Sequence, residues 1–179
     1  TMACILALYP EKNFTVRLLS YKTHVPQFIE EFQCHSNIRF EEVKNINNLI
    51  DGTDAVISCI TNAEGILAED SCFKPGITVI PVHTKGFQNC DLFFDKVFAD
   101  DRDHVKNFRH FERFRQFGEI APVLAGKTAG RTSPEERILS YNLGLGLHDL
   151  VFAKHIYVRP IHVEEQKEKS PSFHFRQTA

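Results

Sequence analysis

Ala55-Val56-Ile57-Ser58-Cys59-Ile60 is a short, continuous apolar run, and Ile77-Thr78-Val79-Ile80-Pro81-Val82 repeats the pattern after the turn Lys74-Pro75-Gly76. Runs that are apolar throughout, rather than alternating, suit strands buried on both faces of a parallel sheet. Upstream, Phe14-Thr15-Val16-Arg17-Leu18-Leu19 alternates and is bounded by Asn13 and Ser20, so it reads as a strand. Residues 25–33 carry Pro26 near their start, with Phe28, Ile29 and Phe32 at helical spacing. Residues 38–43 read as a further strand. Residues 45–50 read as a short helix closed by Asp51-Gly52, the glycine being free to take the left-handed cap. Lys96-Val97-Phe98-Ala99 adds one more strand. Strands and helices in alternation predict an α/β fold, a three-layer parallel sheet with helices on both faces.

Farther along, residues 101–117 read as helical, with Phe108, Phe111, Phe114 and Phe117 at every third position. That spacing draws a slowly rotating apolar stripe, flanked by Arg102, Lys106, Arg109, Arg113 and Arg115. Packing on the sheet or on another domain is the expectation for it, ahead of a membrane or an RNA. Ser133-Pro134-Glu135-Glu136 then predicts a helix start: Ser133 as cap, Pro134 in the first turn, Glu136 closing a capping box. The helix would carry Leu139, Leu143, Leu147, Leu150 and Val151 and end near Lys154. Residues 1–158 are read as one domain and residues 159–179 as a polar tail or arm.

Composition narrows the function. The chain has 179 residues, with Lys+Arg 21 against Asp+Glu 23 and a formal net charge of -2. A protein that neutralises phosphate backbones needs a basic surplus, so nucleic acid is not an expected partner. A hydrophobic fraction of 42% supports a packed core. Phenylalanine carries most of the aromatic weight, with Phe 16, Tyr 4 and Trp 0. No apolar run approaches the about 20 residues of a membrane span, and the apolar opening lacks a signal peptide's basic flank. The five cysteines are scattered without a C-x-x-C pair. That pattern predicts reduced thiols in a cytoplasmic protein. His104 and His110 are not spaced i, i+4 and have no carboxylate set beside them, so no metal site is read.

Two passages carry a resemblance. The first is Asp54-Ala55-Val56-Ile57-Ser58-Cys59-Ile60-Thr61, followed by Phe73-Lys74-Pro75-Gly76-Ile77-Thr78-Val79-Ile80. The second runs through Gly118-Glu119-Ile120, Leu124-Ala125-Gly126-Lys127 and Gly130-Arg131-Thr132-Ser133-Pro134 to Leu143-Gly144-Leu145 and His148-Asp149-Leu150. In order and spacing these resemble the ornithine cyclodeaminase and mu-crystallin family over residues 2–158. The resemblance implies a Rossmann-type NAD(P)-binding domain, which the family joins to an N-terminal dimerisation and substrate domain. Its members cyclise ornithine or lysine with loss of ammonia, oxidise alanine, reduce cyclic ketimines, or only bind the cofactor. The shared chemistry is hydride transfer at an amino-acid Cα or its imine. An amino acid or imine is therefore the implied ligand, and a homo-oligomer the implied assembly.

The departures from that pattern matter as much. The opening residues 2–8 match the end of the family's first Rossmann helix. The strand before it, the Gly-x-Gly turn that brings amides to the pyrophosphate, and the substrate half are not in this sequence. The sheet is therefore expected to be an incomplete Rossmann sheet, and the chain alone to be inactive. After the strand at residues 77–82 the family places a Gly-x-Asp segment whose Asp serves as acid and base. Here Val82-His83-Thr84-Lys85-Gly86-Phe87-Gln88-Asn89-Cys90-Asp91 is shorter and has no such Asp. His83 is the candidate proton-transfer group, and Lys85 the candidate partner of a phosphate or carboxylate. The alternative is that both are loop residues and the chemistry is lost. Asp91 reads as a structural cap.

The remaining candidates concern the cofactor. Ser20-Tyr21-Lys22-Thr23 offers hydroxyls and a cation but no carboxylate, which favours NADP over NAD through Ser20 and Lys22. An ordinary strand-to-helix turn would look the same. Thr61 and Asn62, ending one apolar run, and Val82, ending the other, are expected beside the cofactor. Leu143 and Gly144, with Gly146, fall inside the expected helix, where each glycine costs about 1 kcal/mol relative to alanine. Such a cost implies close approach, either of the nicotinamide end or of a packed strand. Two readings of function remain: the cofactor-binding part of an amino-acid or imine enzyme, or a degenerate mu-crystallin-like binder without catalysis. An incomplete gene product is a third.

Overall fold

Strand β1 (Phe14–Leu19) pairs in parallel with β2 (Ile38–Val43), Phe14 standing opposite Ile38 and Leu19 opposite Val43. Helix α1 (Met2–Leu8) precedes β1, and α2 (His24–Phe32) crosses from β1 to β2. The computed structural model describes residues 2–20, 24–60, 68–83 and 92–158. Residues 45–50 form the expected short helix, α3 (Ile46–Ile50), and Gly52 after it takes φ +73°; the helix opens at Asn45, a cap not read from the sequence, whose side chain accepts from the Asn47 amide at 2.7 Å. Arg17 reaches from β1 to the Asn48 and Asp51 carbonyls and so holds the end of α3 against β1.

A second, five-stranded sheet contains β3 (Ala55–Ser58), β4 (Thr78–Pro81), β5 (Lys96–Ala99), β6 (Phe117–Glu119) and β7 (Ile138–Tyr141), in the order β3-β4-β7-β5-β6. Every pairing in it is parallel. This is the α/β architecture read from the apolar runs. The parallel strands lie in two sheets, and among the described residues β1 and β3 each pair along one side only. Ala55 and Ile57 of β3 are accordingly exposed, so the doubly buried strand expected there is a sheet edge.

The core gathers around the middle of the larger sheet. Phe73, Ile77, Val79, Phe94, Val97, Leu139 and Tyr141 are buried together. Every residue of β5 and β7 is buried. The segment expected as a capped helix from Ser133 is instead a turn followed by β7, a central strand. No helix follows: the Glu136 amide donates to the Ser133 carbonyl in the turn at 3.3 Å, and the Glu136 carboxylate accepts from the Thr132 amide and hydroxyl, at 2.7 and 2.6 Å, and meets Lys96 Nζ at 3.0 Å. Tertiary burial of Ile138-Leu139-Ser140-Tyr141 overrides the local helix signal. The helix itself comes later, as α6 (Gly146–Val158).

Residues 101–117 do not form one helix either. A single turn, α4 (Arg102–Val105), is capped by Asp101 and followed by a tight turn at Phe111–Arg113. Folding back in this way gathers the phenylalanines into a cluster rather than a stripe. The Phe111 ring lies 4.9 Å from Phe117 and 5.7 Å from Phe114, and Phe108 meets Tyr141 edge-on at 5.1 Å. After β6 comes α5 (Ile120–Leu124). Thr1–Gly144 forms one compact unit and Leu145–Ala179 a second.

Candidate functional site

In a parallel sheet all the strands end at the same edge, and open α/β sheets take their ligands beyond the carboxyl ends of the strands. Here that edge is laced together by the backbone. Val82 N–H donates to the Ser58 carbonyl at 2.9 Å, and Asn142 N–H to the Pro81 carbonyl at 3.0 Å. Asp100 N–H donates to the Tyr141 carbonyl at 3.0 Å. The last residues of β3, β4, β7 and β5 are thus fixed side by side.

His83 sits on this edge just beyond β4. Its Nε2 lies 3.1 Å from Ser58 Oγ at the end of β3, and both residues are buried. Burial pushes the imidazole below its ordinary pKa of 6.5, so the ring is neutral around neutral pH. Val82 beside it is exposed, as are Ile57 and Ile60, which gives the edge an apolar surface. Across β4, the end of β7 leads into Leu143, half-buried against the core, and Gly144. Gly144 has φ +94°, which explains the glycine without any helix. A Cβ at Gly144 would meet nothing within 4 Å, so no packed strand of the described chain demands it.

Asp100, at the end of β5, is the second polar centre of this edge. Its side chain is only 4% exposed and accepts from the Gly144 amide at 2.6 Å and the Asp101 amide at 2.9 Å. His104 Nδ1 approaches it at 3.5 Å. Asn142 turns its amide back onto the Ser140 carbonyl and hydroxyl, at 3.0 and 3.2 Å.

The structure therefore brings together His83, Val82, Leu143 and Gly144 on one edge of one sheet. Ser20 stands at the end of β1 in the other sheet, its amide bonded to the Val43 carbonyl. Lys22, Thr61, Asn62, Lys85 and Asp91 lie outside the described residues. Ser58 and Asp100 are the polar groups that sequence reading passed over. Each follows or ends an apolar strand, which was the available signal. Among the described residues, no group of three or more His, Cys, Asp or Glu gathers as a metal site would. None of the described helices is long and apolar enough to cross a membrane. Cys4, Cys34, Cys59 and Cys72 are free thiols.

No family model matches the chain. The nodulation efficiency protein NfeD of Rhizobium meliloti is 26% identical over 129 residues, covering 68% of this chain and 40% of that protein. Among solved structures, an archaeal alanine dehydrogenase dimer with bound NAD matches with TM-score 0.70 and 16% identity, over 87% of this chain and 52% of that one. The Δ1-pyrroline-2-carboxylate reductase of Thermococcus litoralis, in complex with NADH and L-proline, matches with TM-score 0.67 and 18% identity, over 82% and 49%. A probable ornithine cyclodeaminase from Bordetella pertussis Tohama I gives TM-score 0.62 and 17% identity, over 74% and 46%. The chain spans about half the length of each of these structures and less of the curated relative. At these identities the likeness is one of fold: a Rossmann-like parallel sheet.

Proposed function

We propose that this chain is the nicotinamide-binding part of an enzyme that moves hydride to or from the carbon of an amino acid or its cyclic imine. The observation that carries the reading is the Ser58–His83 pair at the carboxyl ends of the neighbouring parallel strands β3 and β4. When bound, the nicotinamide would give the hydride in its reduced form or take it in its oxidised form. The residues present fit its nicotinamide half: exposed Ile57, Ile60 and Val82 offer an apolar wall, and Leu143-Gly144 bounds the far side. His83 is the proton carrier, with Lys85 pairing a carboxylate or phosphate. Thr61 and Asn62 extend the cofactor surface. Ser20 and Lys22 are the residues assigned to the ribose end, since a hydroxyl and a cation without a carboxylate favour NADP over NAD. The ligands are small molecules, the protein works in the cytoplasm, and the assembly is a homo-oligomer.

A second reading, mu-crystallin-like binding without catalysis, draws support from the burial of His83, which is 7% exposed. A buried neutral imidazole serves as a hydrogen-bonding group as readily as a base. Fluorescence titration of the chain with NADH and with NADPH tests the common ground of both readings. Saturable binding, tighter for NADPH, is the expected result. No binding of either at millimolar concentration removes both.

A further inference from the structure

Ser58 interrupts an otherwise apolar strand at the position where β3 ends. An alanine would satisfy packing there, yet the residue is a buried hydroxyl, and a buried hydroxyl needs a partner. Its partner is His83 Nε2 at 3.1 Å. The contact is held from both sides. Ser58 is registered against Pro81 in the β3–β4 ladder, and its carbonyl receives the Val82 amide at 2.9 Å. The backbone on either side of the contact is therefore held in register up to Val82, the residue before His83.

We propose that Ser58 is the positioning residue of His83: its hydroxyl oxygen accepts the Nε2–H and so holds the ring in the Nε2–H tautomer. The direction of the bond follows from what a proton carrier requires. In the protonated ring both nitrogens are donors, and in the neutral ring only one is. A hydroxyl acceptor at Nε2 serves both states unchanged, whereas a hydroxyl donor would have to turn round at every protonation. This inference rests on the proposed role of His83 in proton transfer, but its test does not need the enzyme activity.

The test is the ring-nitrogen NMR spectrum of the full chain labelled with 15N-histidine, the His83 signals being assigned by their loss in His83→Gln. The wild type is expected to show His83 as the Nε2–H tautomer throughout the neutral range. Ser58→Ala is expected to shift that population toward a mixture, at least tenfold in tautomer ratio, while Ser58→Thr, which keeps the hydroxyl, restores it. Backbone amide spectra of β4 and β7 in Ser58→Ala establish that the sheet is intact, so a changed ratio reports the bond and not unfolding. A wild-type ring in the Nδ1–H form overturns the proposal, as does a ratio unmoved by Ser58→Ala. Should wild type fail to bind NADH while the tautomer responds as stated, the cofactor reading falls and the positioning role stands.

Discussion

The Gly144 amide donates to Asp100 Oδ2 at 2.6 Å, tying the segment after β7 to the end of β5. Two features of one turn depend on it: a glycine with φ +94° and a carboxylate 4% exposed. Asp100→Ala removes the acceptor of both the Gly144 and Asp101 amides and should cost about 1–3 kcal/mol in urea unfolding. Gly144→Ala meets no neighbour within 4 Å, so its cost is that of the left-handed backbone alone, about 1–2 kcal/mol. Gly76→Ala should cost more, because it adds to φ +83° a Cβ placed 2.5 Å from the Pro134 carbonyl oxygen. Equal losses for the two glycine variants would contradict this.

At the opposite edge of the sheet, Glu136 accepts from the Thr132 hydroxyl, the Thr132 amide and Lys96 Nζ, which together hold its carboxyl near pKa 2 instead of 4.5. A carboxylate depressed in the folded state stabilises the fold above its unfolded pKa, and that share is lost as pH falls from about 4.5 toward about 2. The stability difference between wild type and Glu136→Gln should therefore be largest at neutral pH and shrink on acidification. Urea unfolding of both proteins at about pH 7 and about pH 3 checks the sign. A difference that does not change with pH would exclude the carboxylate as its source.

The phenylalanine cluster makes a separate prediction. Phe111 is buried between Phe114 and Phe117, with the Arg102 guanidinium 5.5 Å above its ring. Phe111→Ala should cost about 3–5 kcal/mol, as truncation of a buried aromatic does. Helical content should hardly change, because the segment contributes one turn of α-helix. A large loss of helical circular dichroism in the folded variant would restore the helix that the Phe spacing implied.

How much of this was legible follows from where local and tertiary signals agree. The strand at residues 96–99, the short helix read at residues 45–50 and the crossover helix read at residues 25–33 all announce themselves, since local preference and tertiary packing agree there. The run Ile138-Leu139-Ser140-Tyr141 did not, because Ser133-Pro134-Glu135-Glu136 reads locally as a helix start, while Glu136 is drawn to Lys96 from a distant strand. Phe108 to Phe117 keeps helical spacing yet folds back on Tyr141, which no local window contains. At the candidate site, His83 was visible because it follows an apolar strand. Ser58 was hidden inside one, and only the register of β3 on β4 shows what it faces. Asp100 needed the position of Gly144, fixed by β7 lying between β4 and β5.

The proposed nicotinamide site lies at the carboxyl edge of the larger sheet. Amide chemical-shift mapping of the full chain during titration with NADH tests it most directly. Ser58, Val82, His83, Leu143 and Gly144 should shift together and saturably, while Lys96, Thr132 and Glu136 at the other edge stay in place. Shifts centred on Lys96 and Thr132, or none at millimolar NADH, would contradict it.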